Sequence, residues 1–182
     1  MIIYYTLSYS GRSEDSHVLL RDAIAEYIGN REKAEVLVSE LKKGKNGKPY
    51  IEGFDHFSIS HSDRAWAVLF SEEECGLDIQ YGKRCDFIAI TKRWYAPEDR
   101  DRVLSSAKLD EEKGKEEFFR IWTRREALAK TLSSTVYDSE LPAVCSSEMI
   151  KDIILPGDPE LYAAVCIAGS KVSLEIKYEE IG

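Results

Sequence analysis

The sequence predicts an α+β fold on two observations: short β-branched and aromatic runs separated by turn residues, and one long amphipathic helical stripe in each half accompanied by several such runs. Antiparallel pairing is expected where the intervening turns are short. At 182 residues, 43% hydrophobic and 32% charged, the chain has the composition of an ordinary globular domain able to bury a sizeable core. It carries no residue-level repeat and no low-complexity linker, so residues 1–75 and 76–182 read as two packed halves of one unit.

Residues 2–9 are β-branched and aromatic enough for a first strand. Ser13 is placed to cap a helix over 15–28, whose Val18, Leu19, Ala23, Ile24 and Tyr27 form a stripe ended by Gly29-Asn30. Alternation over 34–41 reads as a strand, and the turn-rich, lysine-bearing segment 43–49 reads as a loop suited to face an anion. Strands follow at 57–60, 65–70 and 76–80, with residues 60–63 turning the chain between the first two. Helices are expected at 87–95, at 97–106 with Pro97 in its first turn, and at 110–132. Residues 150–155, 161–168 and 172–178 read as closing strands, joined by turns at 156–159 and 168–170.

Composition narrows the function classes. A net charge of −8, with acidic runs at 72–74 and 110–112, disfavours general nucleic-acid binding, which needs clustered cations. Cys75, Cys85, Cys145 and Cys166 lack CxxC spacing, so reduced thiols are expected, two of them in strands. The N-terminus has no basic region before its apolar run and no segment reaches membrane-spanning length, so a cytoplasmic location is expected.

The stretch 118–130, FFRIWTRREALAK, organises the chain. On a helix of about 3.6 residues per turn, Phe118, Ile121, Trp122, Leu128 and Ala129 fall on one arc, with Glu126 and Lys130 together on its flank. Arg125 projects into the apolar arc, where a guanidinium requires a partner or an anionic ligand. Asp78 and Gln80, two apart on a strand, share a face, and with Glu126 they offer hard oxygen ligands suited to Mg²⁺. Taken alone, the same residues also fit an edge-strand acid beside a helix with an ordinary i,i+4 surface pair. A hydrolase using Ser60 or Ser62 with His61 is disfavoured, because adjacent strand residues point to opposite faces and no GxSxG elbow is present. His61 reads instead as a hydrogen-bond donor to a phosphate, helped by Lys48.

The order Lys48-Pro49-Tyr50, Ile59-Ser60-His61-Ser62, Gly76-Leu77-Asp78-Ile79-Gln80, then Phe118-x-x-x-Trp122-Thr123-x-Arg125-Glu126-Ala127-x-x-Lys130 resembles the phosphopantetheinyl transferase family, in its larger, single-chain pseudo-dimeric class. The resemblance spans about residues 45–132, with 48 positions between Asp78 and Glu126. It implies two similar α+β halves with coenzyme A in the cleft between them, and transfer of the phosphopantetheine arm to a serine of an apo acyl, peptidyl or aryl carrier protein. Adenosine 3′,5′-bisphosphate would be released. By position, Asp78 and Glu126 match the Mg²⁺ ligands, with Gln80 where the family commonly has an acid. Glu126 and Lys130 match the catalytic pair, Lys130 lying near the pyrophosphate, and Lys48, Ser60 and His61 match the positions that hold the 3′-phosphate. Arg125 stands where a lysine is usual, and residues 132–135 replace a Gly-rich turn. The resemblance further implies a monomer. Lys92, Arg93, Arg120 and Arg124 are the cations available for local steering of an acidic carrier. Gln80 also leaves open a non-catalytic protein that binds a carrier or coenzyme A through a degenerate metal site.

Overall fold

A computed structural model describes residues 1–169 and 176–181. Two sheets pack face to face, each covered by helix on its outer face. The first has strand order β4 (His56–Ser62), β5 (Ala65–Ser71), β1 (Ile2–Thr6) and β9 (Lys177–Glu180), antiparallel except for the parallel β1–β9 pair. The second is an antiparallel sheet of β6 (Cys75–Tyr81), β8 (Leu161–Ile167) and β7 (Ile150–Ile153). A short hairpin, β2 (Lys42–Lys43) and β3 (Pro49–Tyr50), encloses a 3-10 turn at Lys45–Gly47.

Period-two alternation explains the layers. Ala65, Ala67 and Leu69 of β5, with Ile3 and Tyr5 of β1, face Leu77, Ile79, Ala163, Val165 and Ile167 of the second sheet in one buried cluster. Their neighbours Trp66, Val68, Phe70 and Tyr4 turn outward onto Leu20, Ala23 and Ile24 of α1 (Ser13–Ile28) and Ala34 of α2 (Arg31–Ser39). On the far side, Ala164 and Cys166 of β8 receive Phe118, Ile121 and Leu128 of α5 (Glu111–Thr131). Helices α3 (Phe87–Trp94) and α4 (Pro97–Leu109) brace α5. All four cysteines are free thiols, with Cys75 and Cys166 in strands as expected. Among the described residues no helix is long and apolar enough to cross a membrane.

Several expectations need correction. Residues 34–41 are not a strand: Asn30 caps a helix by accepting from Lys33 N at 2.9 Å, and Ala34, Leu37 and Val38 pack inward at helical spacing. Ser13 is the first helical residue rather than the cap of α1, which Arg12 precedes without a side-chain capping bond. The first hairpin turns at Asp63 (φ 47°) and Arg64, so Ser60-His61-Ser62 remains strand. Of the strand expected at 172–178, residues 172–175 lie outside the described residues, and the described part belongs to β9, which returns to the first sheet beside β1.

One glycine sets where α5 lies. A Cβ on Gly76 of β6 would stand 1.9 Å from the Ala127 carbonyl oxygen, so only the missing side chain lets the helix backbone approach this strand. That approach puts Glu126 and Lys130 over β6.

Candidate active site

Strands β4 and β6 are edge strands of different sheets and run side by side without pairing through their backbones. An edge strand points every second N–H away from its own sheet, and a buried N–H requires an acceptor. Three serines of β4 supply it. Leu77 N donates to Ser58 Oγ at 3.0 Å, Ile79 N to Ser60 Oγ at 3.2 Å, and Tyr81 N to Ser62 Oγ at 3.1 Å. All three serines are buried.

Over this seam the site is assembled. Asp78, buried, accepts on Oδ1 from Ser60 Oγ and from Lys130 Nζ, both at 2.9 Å, while its Oδ2 makes no hydrogen bond among the described residues. Lys130 Nζ also donates to Leu77 O at 2.9 Å and Ile59 O at 3.5 Å, so all three ammonium donors are engaged across both strands. Trp122, Glu126 and Lys130 follow one another at four-residue spacing on α5, and each is half-buried between buried neighbours. The Glu126 side chain makes no hydrogen bond among the described residues. Burial first, and then the Asp78 charge, push its carboxyl up to about 7, with Lys130 and Arg125 pulling back. A desolvated carboxylate without a donor, under the charge of a second carboxylate that has one oxygen unbonded among the described residues, is a site that a divalent cation would relieve. These residues therefore fit Mg²⁺, which commonly takes one or two carboxylates from protein. Among the described residues no group of three or more His, Cys, Asp or Glu is arranged to hold a metal ion by itself.

Gln80 is on the same strand face as Asp78, and its amide nitrogen donates to Ser62 Oγ at 3.1 Å and to the Tyr81 carbonyl at 2.7 Å. A carbonyl can only accept, so the side-chain oxygen is the atom left free. At the far end, Tyr81 and Arg64 both bond the buried Asp158 carboxylate, closing the hairpin tip onto the 156–159 turn.

The residues assigned to one phosphate are not gathered. Ser60 faces β6, whereas His61 is exposed on the opposite face and lies against the Tyr9 ring with centroids 5.3 Å apart. Lys48 bonds Glu74 Oε2 at 2.7 Å and Cys75 O at 3.0 Å, level with the start of β4. At about 3.3 Å per strand residue, that level is roughly 16 Å from His61. Lys48 instead lines a cavity of about 200 Å³ with Lys45, Lys130 and Ser134, under a loop that Asn46 Nδ2 ties to Ser133 O at 2.7 Å. Ser133, where the Gly-rich turn would fall, has φ 50°, the left-handed conformation that favours glycine.

The arginines are held by neighbouring groups, although Arg125 Nε and Nη1 make no hydrogen bond among the described residues. Arg125, fully buried, donates to the Val136 and Asp138 carbonyls at 3.3 Å, lies 3.9 Å from Asp99 and packs over the Tyr95 ring, so its partners are structural. Arg120 is held by Glu117 and Asp152, and Arg124 by Asp152 and the Val144 carbonyl, which removes both as free steering charges. Lys92 and Arg93 are exposed on α3. Sequence reasoning missed Tyr9, which sits 52 positions from His61, and the Ser58 and Ser62 contacts; for the serines the signal was their period-two spacing on one strand.

In this α+β chain Asp78, Glu126 and Lys130 thus lie together where the two sheets meet. Residues 74–152 match the model of the 4′-phosphopantetheinyl transferase superfamily. A curated relative from Aneurinibacillus migulanus, 4′-phosphopantetheinyl transferase gsp, is 28% identical over 97 residues, which cover 53% of this chain and 39% of the relative. The matched part is thus well under half the length of that relative.

Proposed function

We propose that this protein transfers the 4′-phosphopantetheine arm of coenzyme A to a serine of an apo carrier protein and releases adenosine 3′,5′-bisphosphate. The observation that supports this most directly is the pairing of Asp78 with the unbonded Glu126, beside Lys130, within the matched segment. The two sheet-and-helix halves are read as the pseudo-dimeric arrangement, with coenzyme A along the cleft between them.

Asp78 and Glu126 would hold Mg²⁺, with the Gln80 side-chain oxygen as a neutral third donor. When bound, the ion supplies charge neutralisation on the pyrophosphate. In the transfer, the carrier serine oxygen forms a bond to the pantetheine-side phosphorus, and the anhydride P–O bond breaks. The bisphosphate leaves with the bridging oxygen. Glu126, which bonds no donor among the described residues, is the carboxylate placed to accept the serine proton. Lys130 places a positive charge where negative charge accumulates on the leaving group.

Incubating the protein with coenzyme A, Mg²⁺ and an apo carrier, then weighing the carrier, tests this reading: the expected result is a mass gain equal to one phosphopantetheine. Coenzyme A binding without any gain would instead support a non-catalytic binder with a degenerate metal site at Gln80.

His61 is assigned to the 3′-phosphate, because it is the exposed donor, while Lys48 is engaged with Glu74. Calorimetry with coenzyme A and its 3′-dephospho form should show His61→Ala losing most of the preference between them, about tenfold for a charge-assisted hydrogen bond. Lys48→Ala should weaken both ligands alike. Loss of the preference in Lys48→Ala alone would reverse the assignment.

A further inference from the structure

We infer that Ser60 is a positioning residue for Asp78, acting together with Lys130, and is not a ligand of the nucleotide. The inference rests on the transferase reading of the Asp78 and Glu126 site. Its basis is a division of labour among three chemically identical residues. Ser58, Ser60 and Ser62 each accept one N–H of β6, so each contributes equally to closing the seam. Ser60 alone also donates to a carboxylate, Asp78 Oδ1, at 2.9 Å. A hydroxyl has one proton to give, and in Ser60 it is committed to Asp78 while a lone pair takes Ile79 N–H.

The consequence is orientation. Carboxylates rotate about their last torsion unless both donors and packing restrain them. With Ser60 and Lys130 both bonded to Oδ1, the Asp78 group is restrained, and Oδ2 is the oxygen left for a cation shared with Glu126. Such partners of a metal-binding carboxylate commonly affect metal affinity by about 10–100-fold. At 5% exposure, buried behind β6, Ser60 has no open path to a phosphate on the His61 face.

The test uses Mn²⁺ as a paramagnetic probe of the full-length protein. Mn²⁺ dissociation constants are measured by electron paramagnetic resonance. The preference for coenzyme A over its 3′-dephospho form is measured by calorimetry. Ser60→Ala is expected to weaken Mn²⁺ by about tenfold or more, with the ligand preference unchanged. Ser58→Ala removes the same kind of seam bond and touches no carboxylate, so it should lower thermal stability comparably and leave Mn²⁺ affinity within about twofold. Ser60→Thr keeps the hydroxyl and should bind Mn²⁺ nearly as wild type does. Should Ser60→Ala fail to fold, Ser60→Cys, which retains volume but is a weak donor, is expected to show the same loss. Wild-type affinity in the folded Ser60 variants overturns the inference. So does a lost 3′-phosphate preference in Ser60→Ala, or an equal Mn²⁺ loss in Ser58→Ala. A wild-type protein that binds neither Mn²⁺ nor coenzyme A overturns the transferase reading itself, and the role of Ser60 with it.

Discussion

Glu126→Gln is expected to lower transfer by a factor on the order of 10²–10³, the equivalent of about 3–4 kcal/mol of lost transition-state stabilisation, while making the metal-free protein more stable above neutral pH. The two effects have one cause. The Glu126 carboxyl has no hydrogen bond among the described residues, and burial beside Asp78 pushes it to about 7 from 4.5. The folded chain therefore holds this proton more tightly than the unfolded chain does. The stability this provides is complete below about pH 4.5 and is lost as pH rises through 7. Discounted for solvent screening at a half-buried group, the loss is about 1–2 kcal/mol. The amide introduced by Glu126→Gln does not ionise, so the loss should vanish from melts of that variant recorded between about pH 5 and 8 without Mg²⁺. Asp78→Asn should lower transfer to a similar extent but should not share the gain, since it leaves Lys130 without its carboxylate partner. Added Mg²⁺ should raise the melting temperature of the wild type at about pH 8 and of neither variant. A Glu126→Gln protein with normal turnover, or with the wild-type pH dependence of melting, would remove Glu126 from the site.

Much of this is legible in the sequence because local pattern and tertiary position agree. The 118–130 stripe and the pairing of Asp78 with Gln80 on one face follow from periodicity, and β5 from a short apolar run bounded by turn residues. Residues 34–41 mislead because Ala34, Val36 and Val38 mimic strand alternation, whereas Ala34, Leu37 and Val38 are what the fold buries. The placement of Ser60, His61 and Lys48 is only partly readable. Alternation separates Ser60 from His61, but nothing local says that β4 and β6 abut, so the destination of the Ser60 hydroxyl is hidden. Likewise, the Arg125 partners Asp99 and Tyr95 come from helix α4 and the turn before it, whose packing on α5 is a tertiary fact.

Gly76→Ala is expected to be the most damaging single-methyl change in the chain, although it lies outside the reacting groups. Its Cβ would stand 1.9 Å from Ala127 O, 2.6 Å from Thr131 Oγ1 and 2.9 Å from Ala127 C. Two of those atoms are helix backbone, so no side-chain rotation relieves the clash, and α5 must retreat from β6 by more than about 1 Å to restore ordinary contact. Overpacking of this kind costs about 1–3 kcal/mol or more. The retreat also carries Glu126 and Lys130 away from Asp78, and a misplacement of about 1 Å is worth on the order of 10² in rate. Gly82→Ala is the matched control: its Cβ would meet the Phe119 and Tyr162 rings at 3.6 Å, an ordinary contact, and stability should change by no more than about 0.5 kcal/mol. Urea melts and transfer rates of both variants decide the matter. If Gly76→Ala unfolds at the wild-type midpoint and transfers at the wild-type rate, α5 does not rest on β6 at this position, and the geometry that brings Glu126 to Asp78 is wrong.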